Sequence, residues 1–433
     1  MKLSIFTLGR EVAVLESIGD FKSALTYHAS AEPSDLISLT MRVRSQSYIW
    51  DDQLPPVLQM NLPEGYLLQI LQEQFGPHIG ANPVALLTVI GRYMVGRTQV
   101  AAPGANLAEL PAAIDVQALL RGDNSAQAFA ELVRAHAMSG VSGVVPKFLD
   151  AQQKASVITR KHIIKGSTPQ LPYIALNEHL CMQVAAKVMP TAKTEISDDA
   201  QALVVHRFDV DAQGQLHWGM EDFCALLGLR PSAKYDTTWE RIAKAVRDLV
   251  AGEQQQQVLR GLATQLLLSY ALRNADCHAK NIALLYSSHA DAHLAPTYDM
   301  LTTSVYAGYE HNPPSIGFMG KKTWLPGKNL QRFLASQFSL PLKEQVQIVE
   351  AISEAVLEVS DDVRYRMREH DGFHELGKRM LFAWSEGVQG LRDKRSFAMP
   401  AWPLNDNFTQ LSAPIKPKKL TERHGWSPLL GRK

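Results

Sequence analysis

The feature that most limits how this chain can fold is a change of periodicity at Glu221-Asp222. Before it, short runs alternate apolar and polar residues, as strands of half-buried sheets do; Leu3-Ser4-Ile5-Phe6 and Ser38-Leu39-Thr40-Met41-Arg42-Val43 are examples. After it the spacing is helical, over 237–251, 254–273, 343–358, 361–369 and 372–390. One strand–turn–strand pattern interrupts the helices: Ile282 to Tyr286 and Ala292 to Tyr298, around Ser287-Ser288-His289. A strand-rich first half followed by a helical second half predicts an α+β architecture.

Punctuation divides the chain further. Pro55 and Pro56 end the first strand-like region, and Pro63-Glu64-Gly65 leads into a helix start at Tyr66 to Leu71. Asn82-Pro83 predicts a second helix, since Pro suits the first helical position. The Ala-, Pro- and Gly-rich stretch Ala101 to Pro111 marks a boundary, giving an N-terminal unit over 1–104. The unit 105–222 holds the strand Lys161 to Gly166, then a helix from Tyr173 to Met189 spaced through Leu176, Leu180 and Val184. It closes on strands at Ala202 to Phe208 and Gln215 to Trp218. The unit 223–433 is mainly helical, and its tail from 399 carries prolines and the basic run Lys416-Pro417-Lys418-Lys419, a solvated extended segment.

Charge excludes some classes of partner. Lys and Arg number 44 against 43 Asp and Glu, so no net field steers the chain to nucleic acid or anionic membrane. Cys181, Cys224 and Cys277 form neither a disulfide framework nor a paired zinc pattern, which points to a reducing compartment. The N-terminus lacks a secretory h-region, and the most apolar stretches are too short to span a bilayer. The expected location is the cytoplasm.

The chemistry concentrates in Asn274-Ala275-Asp276-Cys277-His278-Ala279-Lys280-Asn281. Asp276 and Asn281 have the D-x-x-x-x-N spacing of a kinase catalytic loop. A carboxylate there can take the proton of an attacking hydroxyl, and an amide oxygen a loop-width away can hold Mg2+. Lys280 between them can face the charge that spreads over a transferred phosphoryl group. Asp and Asn also occur in turns for backbone reasons alone, so the pair needs support. Asp299 supplies it: a second carboxylate after a short hairpin is how kinases provide their other magnesium ligand. Its neighbours Tyr298 and Met300 differ from the usual Asp-Phe-Gly turn. Upstream, Lys165 ends an apolar strand where it can reach nucleotide phosphates, and Glu178 in the next helix can pair with it. Gly140 and Gly143 offer backbone amides to phosphates. His278 reads as holding the loop together, and Cys277 as a buried structural thiol.

Ser142-Gly143-Val144-Val145-Pro146-Lys147, His162-Ile163-Ile164-Lys165, Asn177-Glu178, Arg207-Phe208-Asp209, Glu221-Asp222-Phe223-Cys224, Lys234-Tyr235 and Tyr298-Asp299, together with the Asp276 loop, resemble the HipA toxin kinases. Asn61-Leu62-Pro63-Glu64-Gly65-Tyr66 and Ile90-Gly91-Arg92 resemble the N-terminal part of that family, so the likeness covers nearly the whole chain. It implies a two-lobed protein-kinase-like fold with a small N-terminal subdomain and a mainly helical C-terminal lobe. It further implies an ATP- and Mg2+-dependent serine/threonine kinase, the toxin of a type II toxin–antitoxin pair, nucleoid-associated when bound to its antitoxin. The implied partners are a HipB-like helix-turn-helix antitoxin, operator DNA reached mainly through it, and an aminoacyl-tRNA synthetase substrate, glutamyl-tRNA synthetase in the best-known case. Carried over, Asp276 is the catalytic base with Lys280 beside it, and Asn281 and Asp299 are the magnesium ligands. Gly140, Val141, Ser142, Gly143, Lys165, Glu178, Glu221, Asp222, Phe223 and His278 bind ATP, the adenine lying at 221–223. Ser142 is the autophosphorylation site, with Ser139 the alternative. Departures are Gly140-Val141-Ser142 where the family often has Ser-x-Ser, Val145 for a common Gln, and Val210 for a second Arg. Two other readings stand beside this one: a small-molecule phosphotransferase of aminoglycoside or choline type, and a catalytically vestigial co-repressor.

Overall fold

A computed structural model describes residues 1–18, 22–51, 54–62, 83–105, 107, 114–138, 155–324 and 327–409. The expected α+β, two-lobed plan is the observed one, and the N-terminal residues form a sheet of their own.

In that sheet β1 (Lys2–Thr7), β2 (Arg10–Ser17), β3 (Ser23–Tyr27), β4 (Tyr48–Trp50) and β5 (Thr98–Ala101) pair antiparallel in the order β4-β3-β2-β1-β5. Leu3, Ile5, Leu15 and Leu25 are buried and meet α1 (Pro56–Gln59) and α2 (Pro83–Ile90) through Val57, Leu58, Val84 and Leu87. The helix expected at Tyr66 to Leu71 lies outside the described residues.

After α3 (Val116–Arg121) and α4 (Ala126–Met138) comes a second antiparallel sheet. It contains β6 (Ala155–Ile158), β7 (His162–Gly166), β8 (Thr194–Ile196) and β9 (Ala202–His206), ordered β6-β7-β9-β8. Side chains alternate across it. Ile164, Ala202 and Val204 pack on Leu119 and Phe129, whereas Leu203 and Val205 join the main core with α5 (Ile174–Ala186). That helix is buried nearly all round, Asn177 and Glu178 included.

The strand expected at Gln215 to Trp218 lies later, as β10 (Gly219–Asp222). Turn chemistry explains the shift. The Asp211 carboxylate accepts the amides of Gln213 and Gln215, and Gly214 turns at φ +80°. Beyond α6 (Phe223–Leu226) lie α7 (Trp239–Leu249) and α8 (Gly252–Ala271). The hairpin β11 (Ala283–Tyr286) and β12 (His293–Leu294) extends β10 into a three-stranded sheet. After α9 (Lys328–Gln337), the helices expected at 343–358 and 361–369 are one, α10 (Leu342–Glu369). Val359 and Val363 are fully buried across the expected break, and the Ser360 hydroxyl bonds back to the Leu357 carbonyl.

The last long helix, α11 (His374–Arg392), crosses the end of α8 at Gly387. A Cβ there would collide with the Ala271 carbonyl oxygen. Gly387→Ala is therefore expected to destabilise the protein by roughly 2 kcal/mol through overpacking, read as a lower melting temperature. An unchanged melt would contradict this close approach.

Candidate active site

The catalytic-loop residues follow α8 directly. Arg273 turns the chain at φ +55°, and its carbonyl accepts the amide and hydroxyl of Thr303 at 3.2 and 2.9 Å. The loop is then held by its own side chains. Asn274 Oδ1 accepts the Asp276 amide at 2.9 Å, and Asn281 Nδ2 donates to the Asp276 carbonyl at 2.8 Å. Gln265 Nε2, from α8, donates to the Asn281 carbonyl at 3.1 Å, and the Ala279 amide reaches the Lys234 carbonyl at 3.1 Å. Asp276, His278 and Asn281 are all buried, and His278 Nε2 lies 3.8 Å from Asp276 Oδ1. The edge of the Tyr235 ring meets the His278 ring, centroids 5.2 Å apart. The only sequence signal for Tyr235 is its place beside Lys234 in a family-like dipeptide.

Asp299 stands at φ +55°, a left-handed conformation that Asp tolerates better than most residues. Its neighbours hold it there. The Tyr298 hydroxyl donates to the Lys280 carbonyl at 2.9 Å, and Asn274 Nδ2 approaches Met300 Sδ at 3.3 Å. Both side chains that depart from the usual Asp-Phe-Gly turn thus bind the catalytic loop.

Lys165 joins the two lobes. Its ammonium is 2.6 Å from Glu178 Oε1 and also pairs with Asp299 Oδ1. One residue before Glu178, Asn177 donates to the Thr302 carbonyl and accepts the Thr302 amide, both at 2.9 Å. One turn of α5 therefore grips the segment after Asp299, while Lys165 grips Asp299 itself.

The three residues expected around adenine part company. The Glu221 carboxylate is buried and accepts the Ser38 hydroxyl and the Leu39 amide, both at 2.7 Å, so it faces the N-terminal sheet domain. Asp222 caps α6 by accepting the Ala225 amide at 2.7 Å, and the Phe223 ring is fully buried. Asp222 and Lys280 lie along one shallow surface depression with Cys224 and, from the N-terminal domain, Pro56, Gln59 and Met60. Burial pushes the Cys277 thiol up to about 12, as befits an inert core cysteine. Gly140, Val141, Ser142 and Gly143 lie outside the described residues.

Among the described residues, no group of three or more His, Cys, Asp or Glu side chains is gathered to hold a metal. Asn281 and Asp299 fit the sparser requirement of Mg2+, which takes one or two protein oxygens and completes its shell with phosphate and water. The Asn281 amide nitrogen is used on the Asp276 carbonyl, which leaves the amide oxygen as the end for a cation. No helix among the described residues is long and apolar enough to cross a membrane.

Comparison with known proteins gives the family. The HipA N-terminal domain matches residues 3–101, and the HipA-like C-terminal domain matches residues 139–363. The chain belongs to the HipA family. It is 28% identical over 243 residues to the Sinorhizobium fredii protein named "Putative kinase Y4mE", a match covering 52% of this chain and 57% of that relative. A second protein of that organism, named "Putative kinase Y4dM", is 24% identical over 336 residues, or 70% of this chain and 78% of the relative. Among solved structures, the Shewanella oneidensis toxin–antitoxin complex of HipA, HipB and operator DNA aligns with 92% of this chain and 98% of the matched chain. The TM-score is 0.66 at 16% identity, a likeness of fold.

Glu221 yields a pH prediction. Burial, its largest influence, pushes the carboxyl up to about 7 against the hydrogen bonds that lower it. A raised folded value means that the folded state holds the proton more tightly. Stability from this group is complete below the unfolded value near 4.5 and is lost as pH rises through about 7. Glu221→Gln can still accept from the Leu39 amide and donate to the Ser38 hydroxyl. Between about pH 5 and 8 the melting temperature of the wild-type chain relative to the variant should fall as pH rises; parallel curves would contradict it.

Proposed function

We propose that this chain is an ATP- and Mg2+-dependent protein serine/threonine kinase, the toxin of a toxin–antitoxin pair. The observation that carries the reading is the meeting of Lys165, Glu178 and Asp299 beside the buried loop of Asp276 and Asn281. Family membership and the names of the relatives support it.

On this reading the Asp276 carboxylate accepts the proton of an acceptor serine or threonine hydroxyl, and its buried loop keeps it aimed. Lys280 turns its ammonium toward the transferred phosphoryl group, and Lys165 meets the nucleotide phosphates while Glu178 holds it in place. Asn281 and Asp299 would hold Mg2+, which when bound neutralises charge on the phosphate oxygens. Asp222 and Lys280 border the nucleotide, and backbone at 221–223 contributes what the buried Glu221 and Phe223 side chains do not. Ser142 is the site of self-phosphorylation. A HipB-like antitoxin brings the chain to operator DNA, and an aminoacyl-tRNA synthetase is the acceptor protein.

Two measurements test this. With γ-labelled ATP and Mg2+, Asp276→Ala should lower label transfer to protein serine by about 10³-fold, the order expected for removing a general base, with its melt retained. Retained transfer in that variant would sink the catalytic assignment. Brief induction of the wild-type chain followed by phosphoproteomics should show a synthetase serine gaining phosphate; label found instead on a sugar or amine would favour a small-molecule phosphotransferase.

A further inference from the structure

One buried ion pair grips the backbone on both sides of Val95. Arg207 and Asp209, in the segment leaving β9, bond twice: Nε to Oδ1 at 3.0 Å and Nη2 to Oδ2 at 2.5 Å. Their side chains are only 4% and 3% exposed. Asp209 Oδ2 accepts the Gly96 amide at 2.7 Å, and Arg207 Nη2 donates to the Met94 carbonyl at 3.2 Å. Arg207 Nη1 donates to the Thr159 carbonyl at 3.1 Å, in the turn between β6 and β7. Gly96 has φ +86°, and a Cβ on it would come to 3.1 Å from the Met220 amide nitrogen, so the approach is close.

Two charges taken out of water stabilise a fold no better than well-packed apolar residues of the same size. What the pair supplies is direction, because a bidentate guanidinium–carboxylate fixes its partners in angle as well as distance. The partners are the two peptide groups flanking Val95. Val95 in turn packs with Met60, Ile158 and the partly buried Ile163. Ile163 and Lys165 are two apart on β7 and so share one face of the sheet. The pair thereby sets how the N-terminal domain abuts the strand face that carries Lys165.

We propose that Arg207 and Asp209 are positioning residues for nucleotide binding. They seat the N-terminal domain on the β7 face, and nucleotide affinity depends on that domain through them. The inference rests on the kinase reading and adds a regulated input to it: a ligand that shifts the N-terminal domain shifts ATP affinity.

Removing one partner would leave the other charge buried and unpaired, so both are replaced together, Arg207→Leu with Asp209→Leu. Mg·ATP affinity is read by calorimetry, kcat and KM from ATP turnover, and folding from the melt. A cooperative melt is expected, with Kd and KM for ATP raised about tenfold or more and kcat within about threefold of wild type. A folded double variant with wild-type Kd overturns this inference alone, as does a loss confined to kcat. A wild-type chain that binds no Mg·ATP overturns the kinase reading, and this inference with it. Where the double variant does not fold, Arg207→Lys, which keeps the charges paired but loses the two-point geometry, is expected to raise Kd by about threefold; an unchanged Kd there overturns the inference equally.

Discussion

The structure hangs on one ammonium group. Lys165 comes from the middle strands of one sheet, Glu178 from the buried helix behind it, and Asp299 from the segment beyond the hairpin of the other lobe. A charge this deeply placed must be paired, and removing one partner of such a set is far costlier than never having built it. Satisfying Lys165 therefore fixes the rotation of α5, which in turn presents Asn177 to Thr302. The helix cannot turn without breaking contacts on both sides of Asp299. In the proposed kinase this is useful, since the lysine that meets phosphates and a carboxylate that holds Mg2+ are aligned before any nucleotide arrives.

The N-terminal domain adds a second constraint, because it is fastened to the three-stranded sheet beside the site. Arg97 is buried and donates to the Ser287 carbonyl of the hairpin at 2.7 Å and to the Leu36 carbonyl of its own domain at 2.9 Å. Glu221 holds Ser38 and Leu39 from β10, and the Tyr286 hydroxyl donates to the Ile37 carbonyl at 3.0 Å. Its contacts thus reach β10, β11 and the hairpin turn.

How much of this was legible in the sequence depended on distance along the chain. Asp276 and Asn281 stand five apart, so their common loop follows from local spacing, and the hairpin that leads to Asp299 announced itself by alternation. Lys165 and Glu178 were readable because strand and helix are adjacent. The direction of the Glu221 side chain is not legible locally: its partner Ser38 lies 183 residues away, and no local pattern encodes that bond. Arg207 and Asp209 resemble a family motif, but nothing local encodes that Asp209 reaches Gly96 and Arg207 reaches Met94, each 113 residues away. The displaced strand at Gly219 and the unbroken α10 differ from the sequence pattern for another reason, because Asp211 turn chemistry and continuous burial through Val359 outweigh local alternation and spacing.

The claim on which the rest depends is that Asp299, held by Lys165, belongs to a magnesium–nucleotide site. Calorimetric titration with ATP, in Mg2+ and again in excess chelator, measures it most directly on the wild-type chain and on Asp299→Asn. The account predicts that the wild-type chain binds ATP much more tightly with Mg2+ and that the variant loses that difference. Equal affinity with and without Mg2+ in the wild-type chain, or an unchanged magnesium effect in Asp299→Asn, would contradict it.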